Sequence, residues 1–119
     1  MLVVLNGESM SPTLKNHSIL IFDKDTSSIK KNDIVLINNG QENLVKRIVG
    51  TQDDYVCMST AYPLSYTLVK KLPQKALTLS IFKLEKDEYF VQGDNLTYPY
   101  DSRNFGTVDK SQIKGKLAL

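Results

Sequence analysis

Short apolar runs, many of them β-branched and closed off by turn residues, follow one another along this chain and leave it little from which to build helices. Ser18-Ile19-Leu20-Ile21-Phe22 comes after the polar turn Lys15-Asn16-His17, and Ile34-Val35-Leu36-Ile37 follows a polar, charge-rich stretch over residues 23–33. Asn38-Asn39-Gly40 is a hairpin-type turn able to supply positive φ, and the next run, residues 44–49, stops at Gly50. Tyr55-Val56-Cys57-Met58, Thr67-Leu68-Val69 and Tyr89-Phe90-Val91 repeat the pattern, with a break at Tyr62-Pro63. Leu77-Thr78-Leu79-Ser80-Ile81 alternates with the period of a half-buried strand. Many short strands separated by turns predict an all-β domain, a compact coiled sheet or barrel.

With 119 residues the chain reads as a single domain, 1–119, large enough to bury a core without cross-links. A hydrophobic share of 41% against 24% charged residues is a globular balance and excludes a disordered chain. Net charge is +2 with the two signs interspersed, so no basic stripe marks a nucleic-acid partner. Cys57 is the one cysteine and His17 the one histidine, so no internal disulfide can form, and neither a metal nor a cofactor is expected. Cys57 reads as a small buried hydrophobe, His17 as a surface turn residue, and Asp53-Asp54 as a turn, not a carboxylate couple. No apolar run approaches the ~20 residues of a membrane-spanning helix, and Leu2-Val3-Val4-Leu5 is too short for a signal sequence.

One stretch carries chemistry. Gly7-Glu8-Ser9-Met10-Ser11-Pro12-Thr13-Leu14 follows the first apolar run. Gly7 permits a bend and Pro12 suits the first turn of a short helix, which presents the Ser9 hydroxyl on an edge with backbone N–H groups close by. A serine hydroxyl needs a base to take its proton, and a lysine is a base only when neutral. Free lysine titrates at ~10.4, and burial among apolar side chains lowers that value by disfavouring the ammonium. Lys46 lies within Leu44-Val45-Lys46-Arg47-Ile48-Val49-Gly50, where alternation puts it on one face with Leu44 and Ile48 and turns Arg47 to the other. Two readings fit such a lysine: an edge-strand side chain whose amine snorkels to water, or a buried general base.

Taken together, the Ser9 stretch, Val45-Lys46-Arg47-Ile48-Val49-Gly50, and Gly93-Asp94-Asn95 followed by Asp101-Ser102-Arg103-Asn104-Phe105-Gly106-Thr107-Val108 resemble bacterial type I signal peptidase in order and rough spacing. Ile113-Lys114-Gly115-Lys116 is similar to that family's closing strand, and only residues 60–86 fall outside the resemblance. The resemblance implies a serine endopeptidase that removes signal peptides from exported preproteins through an acyl-enzyme, with Ser9 as nucleophile and Lys46 as general base. It implies structural support from Arg47, Asp94, Asn95, Asp101 and Arg103, with Arg47–Asp101 or Asp101–Arg103 as ion pairs. The Ser9 backbone N–H is expected in the oxyanion hole. Pro99 stands where the family has a lysine-orienting serine, which leaves that task to Thr97 or Ser102, and Leu96 stands where the family has an arginine.

Two other functions share this resemblance. One is a catalytically impaired homologue acting as a peptide-binding or pilus-type surface-protein assembly factor, a role that fits Pro99 and Leu96. The other is a repressor-type self-cleaving Ser/Lys protease, a group without the Gly-Asp-Asn and Asp-Ser-Arg block. For the peptidase, the substrate is expected to lie extended along strand edges near Leu5 and Leu44. Leu5, Met10, Leu14 and Val45 are expected to wall a shallow apolar pocket for alanine-sized residues. Tyr98-Pro99-Tyr100 is either a substrate-facing loop or a packed one. The expected partners are signal peptides and the membrane surface, reached through an anchor outside this chain, with the site on the outer face of the cell membrane. The short middle, 60–86, leaves any accessory β-domain minimal or absent.

Overall fold

A computed structural model describes residues 1–59, 64–73, 79–97 and 100–118, with Leu79 described by its backbone alone. The strands are β1 (Leu2–Val4), β2 (Ile19–Asp23), β3 (Ile34–Asn38), β4 (Asn43–Gly50), β5 (Tyr55–Ser59), β6 (Tyr66–Val69), β7 (Leu79–Lys83), β8 (Glu88–Gln92), β9 (Val108–Asp109) and β10 (Ile113–Leu117). One short helix, α1 (Ser102–Phe105), and a 3₁₀ turn at Lys110–Gln112 are the helical elements among the described residues. A seven-stranded sheet runs in the order β1-β2-β10-β3-β4-β8-β9, and a three-stranded one in the order β6-β5-β7. All the pairings are antiparallel.

The unbroken apolar run of β3 reflects burial on both faces. Val35 and Ile37 pack with Ile48, Val91, Val108 and Ile113 on one side of the sheet. Leu36 packs on the other side with Leu5, Met10, Leu20, Phe22 and Val45. Each such side chain, fully buried, contributes about 1.5–3 kcal/mol. β2, β10 and β3 separate β1 from β4 in the strand order, yet residues of both line one groove. The large sheet therefore curls until its first edge faces its middle, leaving an open coiled sheet and not a closed barrel.

The middle of the chain forms the small sheet, whose Val56, Met58, Tyr66, Leu68 and Phe82 cluster with Val49, Leu84 and Phe90. A Cβ on Gly50 would lie 2.9 Å from Leu84, just past β7, and 3.3 Å from Leu68 of β6, so glycine lets β4 pass this close to the second sheet. Asp53-Asp54 forms a turn, but Asp54 is buried and ion-paired with Lys31 at 3.0 Å and with Lys70, which ties that turn to the end of β6. Cys57 is buried and free, and His17 is exposed in a turn with φ 70°.

One local expectation is corrected, and one element is new. No helix follows Pro12: residues 9–13 form turns, closed by Ser11 N–H to Glu8 O (3.0 Å) and Leu14 N–H to Met10 O (2.9 Å). Pro12 has no N–H with which to extend that pattern. Conversely, α1 was not expected. Asp101 caps it, the Asn104 side chain returns the bond to the Asp101 N–H, and Gly106 ends it with φ 86°. β7 is described over Leu79–Lys83 and so runs past Ile81; Leu77 and Thr78 of the expected strand lie outside the described residues, as do Tyr62-Pro63, Tyr98 and Pro99. Among the described residues no helix is long and apolar enough to cross a membrane.

Candidate active site

Ser9 sits in the loop that leaves β1, and that loop is fastened at several points. Leu5 N–H donates to Ser18 O (2.8 Å) and His17 N–H to Leu5 O (2.7 Å), drawing the two ends of the loop together. Gly7 turns with φ 105°, a conformation that favours glycine, and its N–H donates to Asn16 Oδ1 at 2.8 Å. From across the molecule the Gly93-Asp94-Asn95 turn closes on the same loop. Asn95 N–H donates to Ser9 O (2.8 Å), Asn95 Nδ2 to Glu8 O (2.9 Å), and Asp94 N–H to Met10 Sδ (3.4 Å).

Lys46 comes to the same place from the middle of β4. It shares a face with Leu44 and Ile48, opposite Val35 of β3, and is only 2% exposed. Burial pushes its amine below the ordinary lysine value, while the Asp101 and Glu42 carboxylates pull the other way. A Cβ on Gly93 would lie 2.7 Å from Ser9 O and 3.4 Å from Lys46 Nζ, so the Ser9 backbone and the lysine amine meet around one point. Both residues line a cleft of about 370 Å³ with Glu8, Glu42, Leu44 and Tyr100. It shares Asn6, Ser9, Glu42 and Leu44 with a groove of about 450 Å³ that runs between residues 3–6 and residues 42–45. Among the described residues no hydrogen bond joins the Ser9 hydroxyl to Lys46, a common condition of such pairs before substrate binds.

The supporting residues hold this arrangement in ways the sequence only partly foretold. Arg47 turns away from Lys46 and grips Asp94, Nε to Oδ1 at 2.9 Å and Nη2 to Oδ2 at 2.8 Å, while Nη1 donates to Asn32 O at 2.8 Å. This corrects the expected Arg47–Asp101 pairing: Asp94 lies on the turn just after Gln92, the partner of Arg47 across β4 and β8, and Asp101 is taken by Arg103. The Arg47 fork holds the Asp94 carboxyl below the usual carboxylate range, helped by Thr13. Asp101 is buried and receives Arg103 Nε and Nη2 at 2.9 and 2.8 Å. Ser102, also buried, accepts from Val91 N–H at 2.8 Å and so pins α1 to β8.

Other candidates move. Thr97 is exposed, its N–H held by Asn95 Oδ1 at 3.0 Å, and neither Thr97 nor Ser102 hydrogen-bonds Lys46 among the described residues. Leu5, Leu44 and Val45 line the groove. Met10 and Leu14 do not: Met10 is 0% exposed beneath the groove, packed with Leu5 and Val45, and Leu14 packs against the same cluster. Leu96 is 67% exposed, away from the cleft lining, and Pro99 lies outside the described residues. Glu8 and Glu42 were missed as lining residues; Tyr100, in a stretch read as either substrate-facing or packed, lines the cleft with its ring against Phe105. For Glu42 a signal existed, since the alternation that places Leu44 with Lys46 extends to it.

The chain belongs to the signal peptidase family, peptidase S26, whose family model matches residues 1–119. The chain is 31% identical over 123 residues to mitochondrial inner membrane protease subunit 1 of Xenopus tropicalis, covering 98% of this chain and 66% of that protein. It is 35% identical over 130 residues to signal peptidase I of Bacillus amyloliquefaciens, covering 94% and 70%. It thus spans roughly two thirds of the length of these curated relatives. A crystal structure of a signal peptidase I from Enterococcus faecalis V583 shares the fold, with a TM-score of 0.54 at 18% identity over 77% of this chain and 98% of that one.

Proposed function

We propose that this chain is the catalytic domain of a signal peptidase that cleaves signal peptides from exported preproteins with a Ser9–Lys46 dyad. The observation that carries the reading is the meeting of the Ser9 backbone and the buried Lys46 amine at the end of a groove between two strands. β4 pairs with β3 over residues 43–47 but with β8 only from Arg47 onward, so its edge over residues 43–46 is free to take an extended peptide. Leu5 and Val45 floor that groove with apolar surface suited to small side chains.

With its amine neutral, Lys46 takes the Ser9 proton as Oγ attacks the scissile carbonyl. The Ser9 N–H donates no hydrogen bond among the described residues and is available to the oxyanion. The protonated lysine then gives its proton to the leaving amine, and water hydrolyses the acyl-enzyme with Lys46 again as base. Arg47, Asp94 and Asn95 fix the serine loop against β4, while Asp101, Ser102 and Arg103 fix the α1 segment against β8.

Action at a membrane fits the surface beside the groove. Leu2 faces Ile21 and Val4 faces Ile19 across β1 and β2, and all four are exposed, from 39% to 71%. The test of the reading is whether purified protein cleaves a peptide spanning an Ala-x-Ala site, with products mapped by mass spectrometry. A single cut after the second alanine is expected. An intact peptide at high enzyme concentration, with and without lipid vesicles, refutes the reading.

A further inference from the structure

The cleft around Ser9 carries two carboxylates that its chemistry does not use. Glu42 lines both the cleft and the adjoining groove, and Glu8, the chain neighbour of Ser9, lines the cleft. Neither carboxylate has a hydrogen bond or ion pair among the described residues, yet the backbone beneath each is fixed. The N–H groups of Gln41 and Glu42 both donate to Asn39 Oδ1 at 2.9 Å, and Asn39 N–H returns a bond to Glu42 O at 3.2 Å. Glu8 O accepts from Asn95 Nδ2 and from Ser11 N–H. Glu42 acts on the Lys46 amine only through space, and an anion on a rigid base that faces a cavity without a hydrogen-bonded partner is arranged to meet a cation brought from outside.

The third wall is aromatic. Tyr100 lines the same cleft, 49% exposed, and its ring is braced edge-on by Phe105 at 5.3 Å between centroids. A ring face beside two carboxylates is a combination that favours lysine or arginine, through cation–π attraction and charge-assisted hydrogen bonds. Lys46, the one cation lining this cleft among the described residues, is buried at its floor and serves the serine.

We propose that the cleft is a specificity site for substrates bearing a basic side chain within two residues of the scissile bond, with Glu42 the principal contact and Glu8 and Tyr100 completing it. This rests on the reading of the cleft as the place where a peptide is cut, and it adds a charge preference to the small-residue preference of the groove. Glu42 shares its face with Leu44 and Lys46, so a side chain reaching it starts from a backbone already lying along β4.

The experiment uses Ser9→Ala protein, which binds without cutting, and peptides spanning an Ala-x-Ala site. Each of the four positions flanking the scissile bond carries lysine, norleucine or glutamate in turn, and affinity is read by fluorescence anisotropy. At one position or more, lysine is expected to bind roughly five- to tenfold tighter than norleucine and glutamate more weakly than either. The lysine advantage should shrink in half-molar salt and in a Glu42→Gln background, and reverse toward glutamate in Glu42→Lys. Equal affinities at all four positions overturn the proposal, and so does failure of every peptide to bind at millimolar concentration. A lysine preference that Glu42→Gln leaves intact also overturns it. A lysine preference in binding, combined with no cleavage by the unsubstituted protein, would keep the charge site and refute the peptidase reading instead.

Discussion

Gly93→Ala adds one methyl group at the point where the serine loop and the lysine meet. Gly93 does not lie in the left-handed region, so the added side chain brings no backbone strain and the effect is one of space alone. The new Cβ would stand 2.7 Å from Ser9 O, and the carbonyl must retreat by about 0.7 Å to reach ordinary contact. That carbonyl also accepts the Asn95 N–H, so moving it strains a hydrogen bond worth about 1 kcal/mol and shifts the residue that bears the nucleophile. Overpacking of this kind costs about 1–3 kcal/mol of stability, offset in part by the ~0.4–1 kcal/mol gained when alanine stiffens the unfolded chain. Catalysis should suffer far more, because a displacement approaching 1 Å at a reacting group costs on the order of a hundredfold in rate. The assay pairs thermal unfolding with kcat on an Ala-x-Ala peptide. A folded Gly93→Ala protein whose turnover stays within about threefold of the original would refute the inference that Gly93 sets the distance between Ser9 and Lys46.

Three further outcomes follow from the same geometry. Activity should rise with pH as Lys46 loses its proton and level off with a midpoint below the ordinary lysine value of 10.5, whereas a profile still climbing at that pH would show an unshifted amine. Lys46→Met should raise stability at neutral pH while abolishing turnover. The folded pKa is depressed, so the unfolded chain binds more protons between that value and 10.5, the original protein gains stability as pH rises through the window, and the advantage of Lys46→Met should narrow there; a constant advantage in denaturant titrations would contradict this. Arg47→Lys keeps the charge but loses the two-pronged grip on Asp94, and should lower the unfolding free energy by about 1–3 kcal/mol; an unchanged urea midpoint would show that the fork does not hold the loop.

Residues whose environment is set by the strand they occupy were legible in the sequence. The continuous run of β3 and the alternation around Lys46 follow from strand geometry, and Asn38-Asn39-Gly40 marks the hairpin between β3 and β4 without need of a partner. Residues whose environment is set by distant chain were not. Met10 beside Ser9 looked like a pocket wall, yet the turns of residues 9–13 rotate it inward against Leu5 and Val45. Asp54 gave no sign of burial because its partners, Lys31 and Lys70, come from other elements. Arg47 found Asp94 instead of Asp101 for the same reason, since which acid lies beside β4 depends on how the residue 93–95 turn folds back. The helix α1 was hidden by its brevity: one turn leaves no periodicity, and only the Asp101…Asn104 spacing with Gly106 behind it marks its ends.

The pairing of Ser9 with Lys46 is tested most directly by the initial cleavage rate of one Ala-x-Ala peptide in the original protein, Ser9→Ala, Lys46→Ala and the double variant, each checked for folding by circular dichroism. Each single substitution is expected to lower the rate by more than about a thousandfold, and the double variant to lose no more than either single one, because the two residues serve one proton transfer. Near-normal turnover by Lys46→Ala, or losses that multiply in the double variant, would contradict the dyad.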